Sequence, residues 1–200
     1  DQSYLNFREG FALYGYQKAG IEYIIDKNGR ALLGDEMGLG KTVQAIGFAK
    51  HYIKDWPLII VAPASLLFNW KKELMTWLPE LKEDDIHIIK RGTQKPKGKI
   101  TIASYAYVAK RANWVNHYLG IRGVLVVDEC HNVKNPEALR TIGLLKVAHS
   151  TRRVLFMSGT PILNKPIEIF TQVNALYPEF FPDYIEFAKR YCDAKLHPKY

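Results

Sequence analysis

Short apolar runs alternate with longer stretches of helical spacing along most of the chain. Arg30 to Gly34 (RALLG) is an apolar run closed by glycine. Thr42 to Lys54 follows with Val43, Ile46, Ala49 and Ile53 on one helical face. Leu58 to Ala62 (LIIVA) is β-branched and closed by Pro63. Leu66 to Leu78 predicts a second helix, with Ser65 as its N-cap. Ile86 to Ile89, Ile100 to Ala103 and Gly123 to Val127 predict strands, the last being the most apolar. Ala138 to Ala148 predicts a helix, Arg153 to Met157 a strand, and Ile167 to Leu176 a last helix. Strands apolar on both faces and separated by helical crossovers predict an α/β fold, with a mostly parallel central sheet and helices on both faces. Such sheets bind ligands at the carboxyl ends of their strands. Chemistry is therefore expected just after Gly34, Ala62, Ala103, Val127 and Met157. The apolar runs are far shorter than the ~20 residues of a membrane span, and the polar opening DQSYLNFREG predicts no secretory signal.

Composition narrows the class. The chain has 200 residues, 48% hydrophobic and 24% charged, which suits one globular domain and excludes disorder, collagen and coiled coil. Two cysteines, Cys130 and Cys192, make no disulfide framework and point to a reducing, intracellular setting. Lys and Arg number 28 against 20 Asp and Glu, a net +8 compatible with a polyanionic partner. Lys90 to Lys99 (KRGTQKPKGK) concentrates five basic residues and no acidic one, and reads as a loop or hairpin tip. The chain opens at Asp1 without an initiator Met, which predicts a piece of a longer protein.

Three of the expected loops carry recognisable chemistry. Gly34 to Thr42 (GDEMGLGKT) follows a strand and opens a helix, as a phosphate-binding loop must. Gly38, Leu39 and Gly40 would bring backbone N–H groups against phosphate, Lys41 would reach the β- and γ-phosphates, and Thr42 would ligate Mg²⁺. The match is to GxGK[ST], because Asp35 stands where the strict pattern has glycine. The apolar strand Val124 to Val127 runs into Asp128-Glu129-Cys130-His131. In that position Asp128 would hold the metal shell and Glu129 would act as general base on water. Ser158-Gly159-Thr160-Pro161 follows a third strand, where small hydroxyl residues can pass the state of a nucleotide site to a neighbouring surface.

These words in this order resemble helicase superfamily two. DEMGLGKT, VAPASLLFNW (Val61 to Trp70), DECHNVKN and SGTPILN (Ser158 to Asn164) resemble the Snf-type DNA-dependent ATPases, over about Leu13 to Ala194. KDWPLIIVAPASL and PEFFPDYIEFAKRYCDA look most like the annealing-helicase (HARP-like) branch. The resemblance implies a three-layer RecA-like P-loop NTPase lobe using ATP and Mg²⁺. It implies that Gln17 reads adenine, since an amide can pair with both its donor and its acceptor; outside the family match Gln17 reads as a surface helix residue. It assigns nucleotide binding to Gly38, Leu39, Gly40, Lys41 and Thr42, metal to Thr42 and Asp128, and catalysis to Lys41 and Glu129. It assigns coupling to His131, Ser158 and Thr160. Pro63, Ala64 and Ser65 match the first DNA-contact motif, and Ser104 and Tyr105 the second; both would touch phosphates without reading sequence. The family's usual Ala is here Cys130, an equally small residue. Adjacent Cys130 and His131 lack the spacing of zinc ligands.

The expected organisation is one lobe over 1–200, with an N-terminal segment, 1–29, carrying the glutamine. An aromatic tail, 178–200, heads for a second RecA-like lobe that this chain does not contain. The basic loop is either a solvated surface or a further DNA contact. The tail aromatics, and Trp70 with Trp77, are expected to pack. The implied function is ATP-driven movement on, or remodelling or annealing of, duplex DNA, with the isolated lobe nearly inactive. The implied partner is DNA and not a membrane, in the nucleus of a eukaryote or the cytoplasm of a bacterium or virus. Alternatives are a strand-separating helicase of the same superfamily, or a binding module on an NTPase lobe without turnover.

Overall fold

The computed structural model describes residues 7, 10–162 and 165–194. Leu163 and Asn164 of the SGTPILN segment, most of the first nine residues and 195–200 lie outside the described residues. In chain order the elements are α1 (Gly15–Asp26), β1 (Arg30–Leu33), α2 (Lys41–His51), β2 (Leu58–Ala62), α3 (Leu67–Trp77), β3 (Ile86–Ile88), β4 (Ile100–Ser104), α4 (Tyr105–Leu119), β5 (Val124–Asp128), α5 (Leu139–Ser150), β6 (Arg153–Met157), α6 (Phe170–Leu176) and α7 (Tyr184–Cys192). The six strands form one sheet in the order β1-β6-β5-β2-β4-β3, and every pairing is parallel.

The alternation of strand side chains divides the core in two. Leu58, Ile60, Ala62, Ile100, Ile102, Val124, Val126, Leu155 and Met157 pack with Ile24, Phe48, Trp70 and Leu74 of α1, α2 and α3. Ile59, Val61, Ala103, Leu125, Val127, Val154 and Phe156 pack with Val108, Val115, Leu144, Val147 and Leu176 of α4, α5 and α6. β2, β5 and β6 are buried at every position, which explains their unbroken apolar runs. No helix among the described residues is long and apolar enough to cross a membrane.

Several expectations needed correction. The Lys90–Lys99 segment is a loop, as one of its two readings had it, and not a hairpin tip. β3 and β4 are parallel, so this segment must return the chain along the sheet. It does so strapped to α4, a helix whose aromatic-rich sequence hid its periodicity. The hydroxyl of Tyr107 donates to Gln94 O (2.8 Å), Arg111 Nε to Gly92 O (3.1 Å) and the Tyr118 hydroxyl to Gly98 O (3.2 Å). Ser65 does not cap α3. It sits in a 3₁₀ turn, Ala64–Leu66, and Leu66 precedes the helix without a side-chain cap. The long α2 prediction ends early, at His51, followed by a 3₁₀ turn over Ile53–Asp55.

Arg30, the first residue of β1, ties two helix ends to the sheet. Its Nε donates to Leu176 O (2.8 Å), and its terminal nitrogens to Ala175 O (2.8 Å), Ala148 O (3.2 Å) and Thr151 O. These carbonyls end α6 and α5, where helical partners run out; of the four, Ala148 O also accepts from the Thr151 N–H (3.4 Å). Burial pushes the guanidinium pKa down from its ordinary value, partly offset by Tyr177. The aromatic tail packs, as expected. Phe187 is buried among Phe170, Phe181 and Tyr191 in largely edge-on contacts, while Phe180 is exposed.

Candidate nucleotide site

The parallel register aligns the strand ends. Leu33 lies opposite Met157, and Met157 opposite Asp128. The loops after β1, β6 and β5 therefore sit side by side along one edge. A cleft of about 470 Å³ opens there, lined by Gln17, Gly38, Gly40, Lys41, Thr42, Trp70, Asp128 and Glu129. Residues far apart in sequence thus meet at one site.

The phosphate loop has the backbone its sequence demands. Gly40 starts α2 in the left-handed region (φ 76°), and a Cβ there would lie 2.3 Å from Gln17 Nε2. The left-handed backbone therefore favours glycine, and any Cβ would also displace the Gln17 amide. Asp35, by contrast, has no left-handed backbone. Its carboxylate accepts from Gln44 Nε2 (2.8 Å), which ties the loop to α2 and explains why a non-glycine serves there. Lys41 Nζ donates to Asp35 O (2.7 Å) and Glu36 O (2.9 Å). Gln17 is buried rather than a surface helix residue. Its Oε1 accepts from Tyr14 N–H (3.0 Å), closing the first turn of α1. Its Nε2 donates to Leu39 O (3.2 Å) in the phosphate loop.

Asp128 ends β5 and is 7% exposed. Burial raises its carboxyl pKa, and the Trp70 N–H opposes that rise. The indole Nε1 donates to Asp128 Oδ2 at 2.9 Å, within the buried core. The tryptophan expected to be plain core is thus a positioning residue of the site. A buried indole needs an acceptor, and that was the available signal. A hydrogen bond to a charged group is worth about 1.5–3 kcal/mol. Trp70→Phe is therefore expected to weaken Mg²⁺-dependent nucleotide binding by about tenfold or more, with little change without Mg²⁺. Equal losses with and without the metal would show a packing effect only.

Glu129 is one of few non-glycine residues with positive φ (52°), a conformation costing roughly 1–3 kcal/mol. Its carbonyl is held by the backbone N–H of Asn132 (3.0 Å) and by Asn132 Nδ2 (2.9 Å). The strained turn carries the Glu129 carboxylate to within 3.3 Å of His131 Nδ1. That nitrogen also lies 3.0 Å from Ser158 Oγ, which accepts from the Thr160 N–H (3.1 Å). Glu129, His131, Ser158 and Thr160 thus form one connected chain. Which group donates between His131 and Ser158 depends on the imidazole tautomer.

Buried Gln172 of α6, not anticipated from sequence, braces the same loops. Cys130 Sγ donates to its Oε1 (3.1 Å), and its Nε2 donates to Pro161 O (3.0 Å). A polar residue inside the apolar run FTQVNAL was the clue. Burial pushes the Cys130 thiol pKa far up, so it stays protonated.

The expected DNA-contact residues lie after β2 and β4, on the other half of the same edge. Ser65 is exposed and Pro63 half-buried. Ser104 caps α4, its Oγ accepting from the Tyr107 N–H at 3.3 Å. Tyr105 is corrected: its side chain is 7% exposed and turned inward. Its hydroxyl donates to the carbonyl of Asp128, so it supports the carboxylate turn instead of facing a ligand surface.

A parallel sheet with this loop and this acidic turn at the ends of two strands that flank a third defines a RecA-like nucleotide-binding domain. The profile of the SNF2-related domain matches residues 16–196, and the chain belongs to that family. It is 36% identical over 199 residues to the SWI/SNF-related matrix-associated actin-dependent regulator of chromatin subfamily A-like protein 1 of Xenopus tropicalis, covering 99% of this chain and 21% of that protein. It is 39% identical over 193 residues to the DNA annealing helicase and endonuclease ZRANB3 of Bos taurus, covering 94% of this chain and 18% of that protein. The fold matches a Sulfolobus solfataricus SWI2/SNF2 ATPase core in complex with dsDNA, with TM-score 0.77, 25% identity, and coverage of 92% of this chain and 39% of that one. The chain thus spans about a fifth of the length of these curated relatives.

Proposed function

We propose that the chain is the ATP-binding lobe of a DNA-dependent ATPase that couples hydrolysis to movement on, or remodelling or annealing of, duplex DNA. The observation that carries this reading is the shared cleft, in which the phosphate loop and the Asp128–Glu129 turn face each other across the Ser158 loop. The donor set fits a magnesium nucleotide. Thr42 offers a hydroxyl and Asp128 a carboxylate with one oxygen anchored by Trp70, while Lys41 supplies an ammonium group. Bound Mg·ATP supplies an activated phosphoanhydride. Lys41 exchanges the carbonyls of Asp35 and Glu36 for phosphate oxygens. Glu129 orients the attacking water and takes its proton. His131 and Ser158 read the position of that carboxylate and pass it toward the DNA side. Gln17 contributes its remaining N–H and lone pair to adenine.

A second lobe is needed for turnover, since an arginine finger accounts for about 10³–10⁵ in rate in related NTPases. The 200-residue chain should therefore bind Mg·ATP and hydrolyse it very slowly. Calorimetric titration with Mg·ATP tests the site, and DNA-stimulated turnover by this chain alone at the rate of an intact motor would reject the half-site reading. Ser65 and Ser104 are placed to meet phosphates, so DNA binding should be independent of sequence and fall steeply with salt. Duplex titrations at several salt concentrations check this, and salt-indifferent affinity contradicts it.

A further inference from the structure

The charge of this lobe is unevenly placed. From Lys90 to Val127, and from Ala138 to Met157, the sequence contains no Asp or Glu. These stretches build α4 and α5, which with α6 cover one face of the sheet. Between the two helices lies a groove of about 330 Å³, which shares no lining residue with the nucleotide cleft. Its apolar surface is Trp114, Leu139 and Ile142, and its cationic rim is Lys110, Arg111 and Lys146. Leu139 is 77% and Ile142 51% exposed, three residues apart on one helix face. Neither Lys110 nor Lys146 has an ion-pair partner among the described residues.

The two helices beside the groove touch directly. Gly143 lets α5 lie directly on α4, since a Cβ there would stand 2.8 Å from Ala109 Cα and 2.9 Å from Val108 O. α4 departs from helical geometry at Arg111 (φ −131°, ψ 27°). That residue's guanidinium lies over the Trp114 ring at 4.7 Å, which holds the indole in place.

We propose that this groove docks an acidic amphipathic helix of a protein partner. The helix would set apolar side chains on Leu139, Ile142 and Trp114, and carboxylates against Lys110 and Lys146. In helix-in-groove recognition an amphipathic helix lays its i, i+3, i+4 and i+7 anchors on an apolar groove, and Leu139, Ile142 and Trp114 offer such a surface. The acid-free rim supplies the charge complementarity that steers association and fixes orientation. A nucleic-acid backbone fits less well. It satisfies the lysines but covers Leu139 and Ile142 with anionic oxygens, which gain nothing from apolar contact.

The test is fluorescence anisotropy on the 200-residue chain. The probe is a labelled helical peptide with Leu at i, i+3, i+4 and i+7 and Glu on its flanks. Binding is expected, weakened about tenfold by Ile142→Ser or Leu139→Ser, both exposed enough to leave the fold intact. Shuffling Leu and Glu within the peptide should weaken binding by about tenfold, and Lys146→Glu should flatten its salt dependence. Three results would overturn the proposal. One is no binding at the peptide's solubility limit, and another is equal affinity for the shuffled peptide. The third is a duplex that competes for the groove and loses affinity with Lys110→Glu and Lys146→Glu but not with the two serine variants.

Discussion

Glu129→Gln in the full-length protein is expected to abolish DNA-stimulated ATP hydrolysis while preserving ATP binding. Removal of a general base costs about 10²- to 10⁴-fold in rate. The amide keeps the size of the side chain but takes no proton from water. Binding survives because Asp128, Trp70 and the phosphate loop are separate from the Glu129 carboxylate; Asp128 is held by the indole at 2.9 Å. Lys41→Ala should differ in kind, losing nucleotide affinity as well as turnover, because its ammonium is the cation that the loop aims at phosphate. A filter-binding measurement beside a phosphate-release assay separates the two. Normal hydrolysis by either variant would show that the roles are misplaced.

Arg30→Met is expected to be among the most destabilising single changes to the fold. Four carbonyls at the ends of α5 and α6 accept from this one side chain, and three of them, all but Ala148 O, which also accepts from the Thr151 N–H, depend on it. At about 1 kcal/mol per unsatisfied group, the loss is roughly 3 kcal/mol. For a chain of this size that lowers Tm by about 10 °C. Arg30→Lys should rescue little, because one ammonium group cannot reach acceptors spread across two helices as the planar guanidinium does. Calorimetric melting of the three proteins decides it. A Met variant within a degree or two of the parent would mean that water replaces the guanidinium.

Much of the fold is local information. β6 lies where its apolar run was expected, because a strand buried on both faces leaves an unbroken hydrophobic word. The phosphate loop and the acidic turn are equally legible, since each packs its chemistry into consecutive residues beside a strand. α4 was missed although the parallel rule required a crossover between β4 and β5; its Tyr, Trp and Asn residues dilute the helical pattern. Asp35 looked like a departure from a pattern. It became intelligible only with Gln44, nine residues on, in view.

By itself the sequence determined the six strands, the helices α2, α3, α5 and α6, the parallel α/β class and the identity of the loops that carry chemistry, because backbone propensity and burial pattern act over a few residues. The tertiary structure alone decided which loops are neighbours. The order β1-β6-β5-β2-β4-β3 puts the Ser158 loop between the phosphate loop and the carboxylates, and sets Ser65 and Ser104 on the other half of the edge. It also gave Trp70, Tyr105, Gln172 and Arg30 each a partner 23 or more residues away. The physical reason is the demand that a buried polar group find a hydrogen bond. The sequence states that demand, but only the packed chain can show where it is met.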